Sequence, residues 1–286
     1  MTFADWLKHL VIIRGGGDIA SGTIYKLFRC GFPLLVLETE SPACIRRTVS
    51  FCEAVTFGET EVEGVTAKLA ETVEEAYKFY RERKVPVMVD PRGLMIRECR
   101  PAVVVDAILA KRNLGTSITD APVVIGLGPG FVAGEDVHAV IETKRGHDLG
   151  RVIHEGTAAP NTGIPGMIAG YGAERVIHAP AEGIVHILKD IGEVVTAGEE
   201  IACIRPEMPH SSIIKDDISV YAPIPGIIRG MIREGFRVTE GLKMADIDPR
   251  LSEKDNFRKI SDKARCVAGG VLEAIWETEN RPLSPP

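Results

Sequence analysis

Ala179–Ile204 laid over Ala222–Ile247 matches at ten of 26 positions with a fixed offset of 43 residues. Both copies read A-P-x-x-G-I, then G-x-x-V-T-x-G, then an apolar run closing at Ile204 or Ile247. A repeat with glycines at fixed offsets predicts short strands between tight turns, two half-motifs that must close on each other to bury their apolar faces. Of the 29 glycines, 19 fall between Gly115 and Gly241, so the middle of the chain is turn-rich. The paired half-motifs resemble the barrel-sandwich of biotinyl and lipoyl carrier domains. No biotin or lipoyl attachment is expected, because Ile204–Val220 holds only Lys215, without the framework that flanks a carrier lysine.

Residues 10–110 read differently. Leu10–Arg14 is an apolar run of strand length, Asp18–Cys30 has helical spacing at Ile19, Tyr25 and Phe28, and Pro33–Leu37 is a second strand-like run. Thr72 followed by Glu75 is a capping-box pattern ahead of a helix with Val73, Ala76, Tyr77 and Tyr80 on one side. Alternating strand and helix predicts a parallel sheet covered on both faces. The expected fold is α/β, a Rossmann-like parallel sheet domain over 1–120 with a glycine-rich continuation over 121–172. A β-rich, biotinyl/lipoyl-like barrel-sandwich over 173–250 and a C-terminal helix and tail over 251–286 complete it. In that helix Ala264, Val267, Val271, Ala274 and Ile275 suit one buried face.

Strand-to-helix glycine loops bind phosphates because glycine lets the backbone approach closely and helix N-terminal N–H groups hold the charge. Gly15, Gly17 and Ala20 fill the small-residue places of G-x-G-x-x-A, making Gly15, Gly16, Gly17, Asp18 and Ser21 candidate cofactor-binding residues. Glu38, 21 residues past Gly17, stands where a carboxylate would meet a ribose hydroxyl. Against this, Asp18 puts a negative charge at the helix start, where it caps N–H groups and repels phosphate. Two readings stand: a nucleotide site, or the same loop without a ligand. A second loop, Gly126, Gly128 and Gly130, either cradles an anion or permits close packing, and Pro129 removes one donor from any cradle. Arg46 and Arg47 suit oxyanion recognition or a solvated face. Asp136, His138, Glu142 and His147 are a candidate metal set, with surface or substrate-binding roles as the alternative.

A net charge of −6 excludes the basic field that nucleic-acid binding needs. The apolar run Leu10–Ile13 is too short for a leader or membrane span, so a cytoplasmic protein is expected. Six scattered cysteines without a C-x-x-C pair read as reduced structural thiols.

Several strings in order, RGGGDIASG at 14–22, ESPACIRRTVSFCEAVTFGE from 40, VEGVTAKLAET from 62, VVDAILAKRN from 104, APVVIGLGPGFVAGEDVHAVIETKRGHDLGRVI from 121, NTGIPG at 161 and GLKMADIDPR at 241, resemble the YqeB-type accessory proteins of selenium-dependent molybdenum hydroxylases. That resemblance implies a maturation protein for selenium or molybdenum-cofactor insertion, with the hydroxylase as partner. Its first domain would be reminiscent of XdhC-type factors, with a nucleotide, dinucleotide or molybdopterin as the small-molecule cofactor. The residues also leave open an NAD(P)-dependent oxidoreductase, a non-enzymatic cofactor-binding scaffold, and assembly as a homo-oligomer.

Overall fold

A computed structural model describes residues 1–161, 163, 166–206 and 216–279. The chain forms two compact units, each discontinuous in sequence. The first comprises Met1–Pro42, Val49–Thr162 and Ile260–Pro286, and the second Ala43–Thr48 and Gly163–Lys259.

The first unit runs α1 (Phe3–Lys8), β1 (Val11–Arg14), α2 (Asp18–Arg29), β2 (Leu34–Glu38), α3 (Glu53–Phe57), β3 (Glu59–Val62), β4 (Val65–Leu69), α4 (Val73–Arg81), β5 (Val85–Val89), α5 (Leu94–Cys99), β6 (Val103–Asp106), β7 (Val123–Leu127), β8 (Ala139–Ile141), β9 (Val152–Ile153) and α6 (Asp262–Glu279). Its nine strands form one sheet in the order β3-β4-β5-β2-β1-β6-β7-β8-β9. The inner strands β1, β2, β6 and β7 are apolar and buried almost throughout, as strands covered on both faces must be. One core cluster takes α2 and α6 residues such as Ile24, Leu27, Val267 and Val271, and another takes Trp6, Ala76, Phe79 and Ile96 from α1, α4 and α5.

α4 starts where the capping pattern puts it: the Thr72 hydroxyl accepts the Glu75 N–H at 3.1 Å. The return half differs, since the Glu75 carboxylate takes the Glu71 N–H at 2.9 Å. α1 makes the full reciprocal box between Thr2 and Asp5.

In the second unit, β10 (Val176–His178), β11 (Gly183–Ile187), β12 (Val194–Val195), β13 (Glu200–Arg205), β14 (Ile218–Tyr221), β15 (Gly226–Met231), β16 (Arg237–Val238) and β17 (Lys243–Asp248) make two antiparallel sheets. Their orders are β10-β17-β15-β12 and β14-β13-β11-β16. Each repeat copy lends its short middle strand to the other: β12 pairs with β15, and β16 with β11. Gly183 and Gly226 occupy equivalent places at φ +158 and +157, where a Cβ would lie 2.3 Å from the Arg205 carbonyl and 2.4 Å from that of Asp248. The repeat keeps glycine there because no side chain fits.

The expected fold class is corrected on both counts. The first sheet is mixed, not a Rossmann-like parallel one, because β3 runs antiparallel to β4 and β9 antiparallel to β8. The β3–β4 hairpin turns through Glu63 and Gly64, both at positive φ, a two-residue turn whose twist suits a hairpin. The second unit is not a biotinyl/lipoyl-like barrel-sandwich following in sequence. It is a pair of four-stranded antiparallel sheets that also draws in Ala43–Thr48. The C-terminal helix α6 belongs to the first unit, where its apolar face, expected to pack back onto the α/β body, is buried. Lys215 lies outside the described residues.

Candidate functional site

The end of β1 is held closely by its neighbours. Gly15 turns at φ +94, and a Cβ there would stand 3.1 Å from the Ala107 carbonyl at the exit of β6. The Gly16 N–H donates to Glu38 Oε2 at 2.8 Å, while Thr39 N–H donates to Oε1 at 2.8 Å. The Gly16 carbonyl accepts from Cys52 N–H at 2.9 Å and from the Ser21 hydroxyl at 3.0 Å. Ser21 Oγ in turn accepts the Phe51 N–H at 2.9 Å. A Cβ on Gly16 would lie 2.9 Å from the Cys52 nitrogen, so the chain itself fills that side of the loop. Ser21 braces this segment from a fully buried position.

Gly17 is different. It is the N-cap of α2, in extended conformation, and a Cβ there would meet nothing within 4 Å. Asp18 follows in the first turn, half-buried, its carboxylate suited to the positive end of the helix. The loop thus presents an open side at Gly17 and a closed side at Gly16.

Beneath the loop lies a buried network that the sequence did not single out. Arg14 Nη1 donates to Asp106 Oδ2 at 3.3 Å and to the Thr116 hydroxyl, which itself donates to Asp106 Oδ2 at 2.6 Å. The Ile108 N–H donates to Asp106 Oδ1 at 3.2 Å. Arg14 and Asp106 are 5% and 2% exposed, so the pair is a buried one, and Arg14 Nη2 also reaches the Leu114 carbonyl at 3.5 Å. It fastens the segment after β6 to the end of β1. A charged residue closing each of two apolar strands was the available signal.

The second glycine loop is explained by packing. A Cβ at Gly126 would enter the Phe131 ring at 2.5 Å, one at Gly128 would meet Thr143 Oγ1 at 2.7 Å, and one at Gly130 the Arg112 nitrogen at 2.6 Å. The Arg pair is also committed within the second unit. Arg46 Nη2 donates to the carbonyls of Phe257 and Lys259, each at 3.4 Å, while Arg47 Nε donates to the Met231 carbonyl at 2.8 Å and Nη2 pairs with Asp190.

Asp136, His138, Glu142 and His147 are not brought together. Among the described residues no group of three or more His, Cys, Asp or Glu could hold a metal ion. Asp136 Oδ2 accepts the Val132 N–H at 2.8 Å, His138 Nδ1 the Val124 N–H at 3.0 Å, and the Glu142 oxygens the N–H groups of Lys144 and Ala159, each at 2.7 Å. His147 is exposed. Each residue of this polar run that is turned inward has taken a backbone N–H as its partner.

His138 has a further consequence. Burial lowers its pKa, and an Nδ1 that accepts a hydrogen bond must be unprotonated. A folded-state pKa below the unfolded one means the unfolded chain binds the proton first. Its contribution is therefore complete above the unfolded value of about 6.5 and is lost as pH falls through the folded value. Urea titrations are expected to show stability declining below about pH 6.5, with a flatter decline in His138→Gln; parallel profiles would refute this.

None of the six cysteines is in a disulfide. Burial pushes the Cys99 thiol up to about 11, with Glu98 and Glu74 adding to the effect. Cys99 is expected to resist a thiol reagent at pH 8 while exposed Cys30 and Cys266 react, as read by peptide mapping. Modification of Cys99 at the rate of the exposed pair would contradict its burial.

No described helix is long and apolar enough to cross a membrane. No family model matches the chain. Its structure is similar to an aspartoacylase family protein from Mesorhizobium loti at a TM-score of 0.31 and 13% identity, covering 85% of this chain and 86% of that one. It is also similar to a succinylglutamate desuccinylase/aspartoacylase from Rhodobacter sphaeroides at a TM-score of 0.28 and 17% identity, covering 84% and 85%. In sequence the chain is 50% identical over 267 residues, 93% of its length, to the uncharacterized protein YqeB of Escherichia coli (strain K12), and it spans 47% of that relative.

Proposed function

We propose that this chain is a cytoplasmic accessory protein in the maturation of a selenium-dependent molybdenum hydroxylase, holding a nucleotide or cofactor at the Gly15–Gly17 loop. What supports the reading is the 50% identity to the uncharacterized YqeB along 93% of the chain, beside the ordered strings from RGGGDIASG to GLKMADIDPR that resemble the accessory family. The open side of Gly17 at the start of α2 supports the loop as the ligand position. A dinucleotide-dependent oxidoreductase has less support. The carboxylate that would take ribose hydroxyls, Glu38, already accepts the N–H groups of Gly16 and Thr39. The same bracing favours a second reading, a scaffold that binds and delivers a cofactor without turning it over.

A strain lacking the gene is expected to make the hydroxylase polypeptide at normal level but with low activity and little labile selenium. Molybdenum enzymes that need no selenium keep their activity in that strain. Full selenium loading and full hydroxylase activity would overturn the proposal. Gly17→Val is expected to fold within about 1 kcal/mol of the parent, because nothing crowds the position. The same variant loses any thermal stabilisation by nucleotide and fails to complement. If the parent's melting temperature is unmoved by saturating NAD, NADP, ATP, CTP and GTP alike, the loop holds no nucleotide and the scaffold must hold another cofactor.

A further inference from the structure

The segment after β6 crosses the carboxyl ends of the parallel strands without forming a helix. β1 lies between β2 and β6 and runs parallel to both, and the chain leaves β1 toward β2 but returns to β6 on the other side. Ligands of open sheets sit outside the strand ends where successive connections part in this way. The crossing is close. A Cβ on Gly15 would lie 3.2 Å from Ile108 Cα, one on Gly128 3.5 Å from Leu109 Cδ2, and one on Gly130 2.6 Å from the Arg112 nitrogen.

The path is strained and firmly held. Leu109 and Lys111 turn at φ +60 and +63, a left-handed conformation that residues other than glycine seldom adopt. Asn113 fixes the return: its Oδ1 accepts the Gly115 and Thr116 N–H groups at 2.9 and 2.8 Å, and its Nδ2 donates to the Thr116 carbonyl at 2.7 Å. Such strain persists only where the surroundings over-determine it, and loops on a rigid sheet are where proteins place binding groups.

Ile108 and Leu114 of this loop are exposed, and so is Leu94. All three border Arg14. The Ala107 N–H donates to the Arg14 carbonyl at 2.9 Å, Arg14 Nη2 donates to the Leu114 carbonyl, and a Cβ on Gly93 would lie 3.5 Å from Arg14 Nε. Lys111 and Arg112 are exposed as well and make no ion pair among the described residues. The carboxylates that close β2 and β6, Glu38 and Asp106, already accept donors on both oxygens. An apolar surface with unneutralised cations beside it suits an anion that has an apolar face of its own, and three side chains are far too few for a protein interface.

We infer that Ile108–Leu114 is the selecting loop of the Gly15–Gly17 site and takes a heteroaromatic ring that carries a phosphate. The ring lies against Ile108, Leu114 and Leu94, and the phosphate turns toward Lys111 and Arg112. The inference rests on the reading of Gly15–Gly17 as the ligand position. A purine and a pterin are the two sources of this chemistry.

Calorimetric titration of the full chain with AMP, neopterin monophosphate, adenosine and ribose 5-phosphate tests it. One of the two phosphorylated rings is expected to bind at least about tenfold more tightly than adenosine or ribose 5-phosphate, and which one it is names the source. Ile108→Asn with Leu114→Ser is expected to weaken that ring about tenfold and to leave ribose 5-phosphate unchanged. Lys111→Asn, which tolerates the left-handed turn, with Arg112→Ser is expected to flatten the dependence of binding on salt. Parent-like binding by both double variants, or phosphorylated rings that bind no better than ribose 5-phosphate, would overturn the loop and spare the glycine site. Binding that survives Gly17→Val would overturn the glycine site instead, and no binding of either ring by the parent would overturn both.

Discussion

Asp106→Ala is expected to lower the free energy of unfolding by about 3–5 kcal/mol, the cost of leaving a buried charge unpaired. The carboxylate receives Arg14 Nη1, the Thr116 hydroxyl and the Ile108 N–H, so truncation strands one cation and two neutral donors together. Arg14 cannot turn to water for compensation at 5% exposure. The penalty comes from the missing partner and not from the pair's intrinsic attraction, which predicts a second result. Replacing both charges, Arg14→Met with Asp106→Leu, should recover most of the loss, because two apolar groups leave no charge unpaired. Urea unfolding monitored by circular dichroism measures both. A loss under about 1 kcal/mol in Asp106→Ala, or a double variant no better than the single, would show that the network is solvated.

Gly22→Val is expected to cost about 3 kcal/mol or more by forcing α2 and α6 apart. A Cβ at Gly22 would stand 2.5 Å from the Ala264 carbonyl oxygen and 2.8 Å from the Ala264 Cβ, so backbone rather than a flexible side chain must move. Ala264, Val267, Val271, Ala274 and Ile275 are all at most 1% exposed and lose contact together if α6 lifts. Unlike the Gly17 change five residues earlier, which meets open space, this one should also expose the chain near Ile260 to protease. Limited proteolysis that leaves the C-terminal segment as resistant as in the parent would contradict the close crossing. Gly270 carries the same logic from the other side of α6, where a Cβ would lie 2.1 Å from the Gly150 carbonyl.

The sequence by itself determined what rests on neighbours a few residues apart. The β1–glycine–α2 run, the Thr72 cap and the repeat's strand–turn spacing follow from apolar period, left-handed glycines and hydroxyl groups one turn from an N–H. These are local interactions, and the chain makes them at Val11–Arg14, Asp18–Arg29, Val73–Arg81 and Gly183–Ile187. Tertiary structure decided how sheets close and what each polar residue meets. The pattern that read as a parallel sheet says nothing of edges, where a two-residue turn at Glu63–Gly64 and the short β9 run antiparallel instead. Glu38, Arg46, Arg47, His138 and Glu142 looked like ligands because their chemistry suits ligands. Folding gave each a partner from its own unit, as distant in sequence as the 211 residues between Arg46 and Phe257. Arg14 and Asp106, 92 residues apart, matter only because the sheet brings them together. Periodicity records which face a residue is on, whereas burial and partnership depend on the whole packed unit.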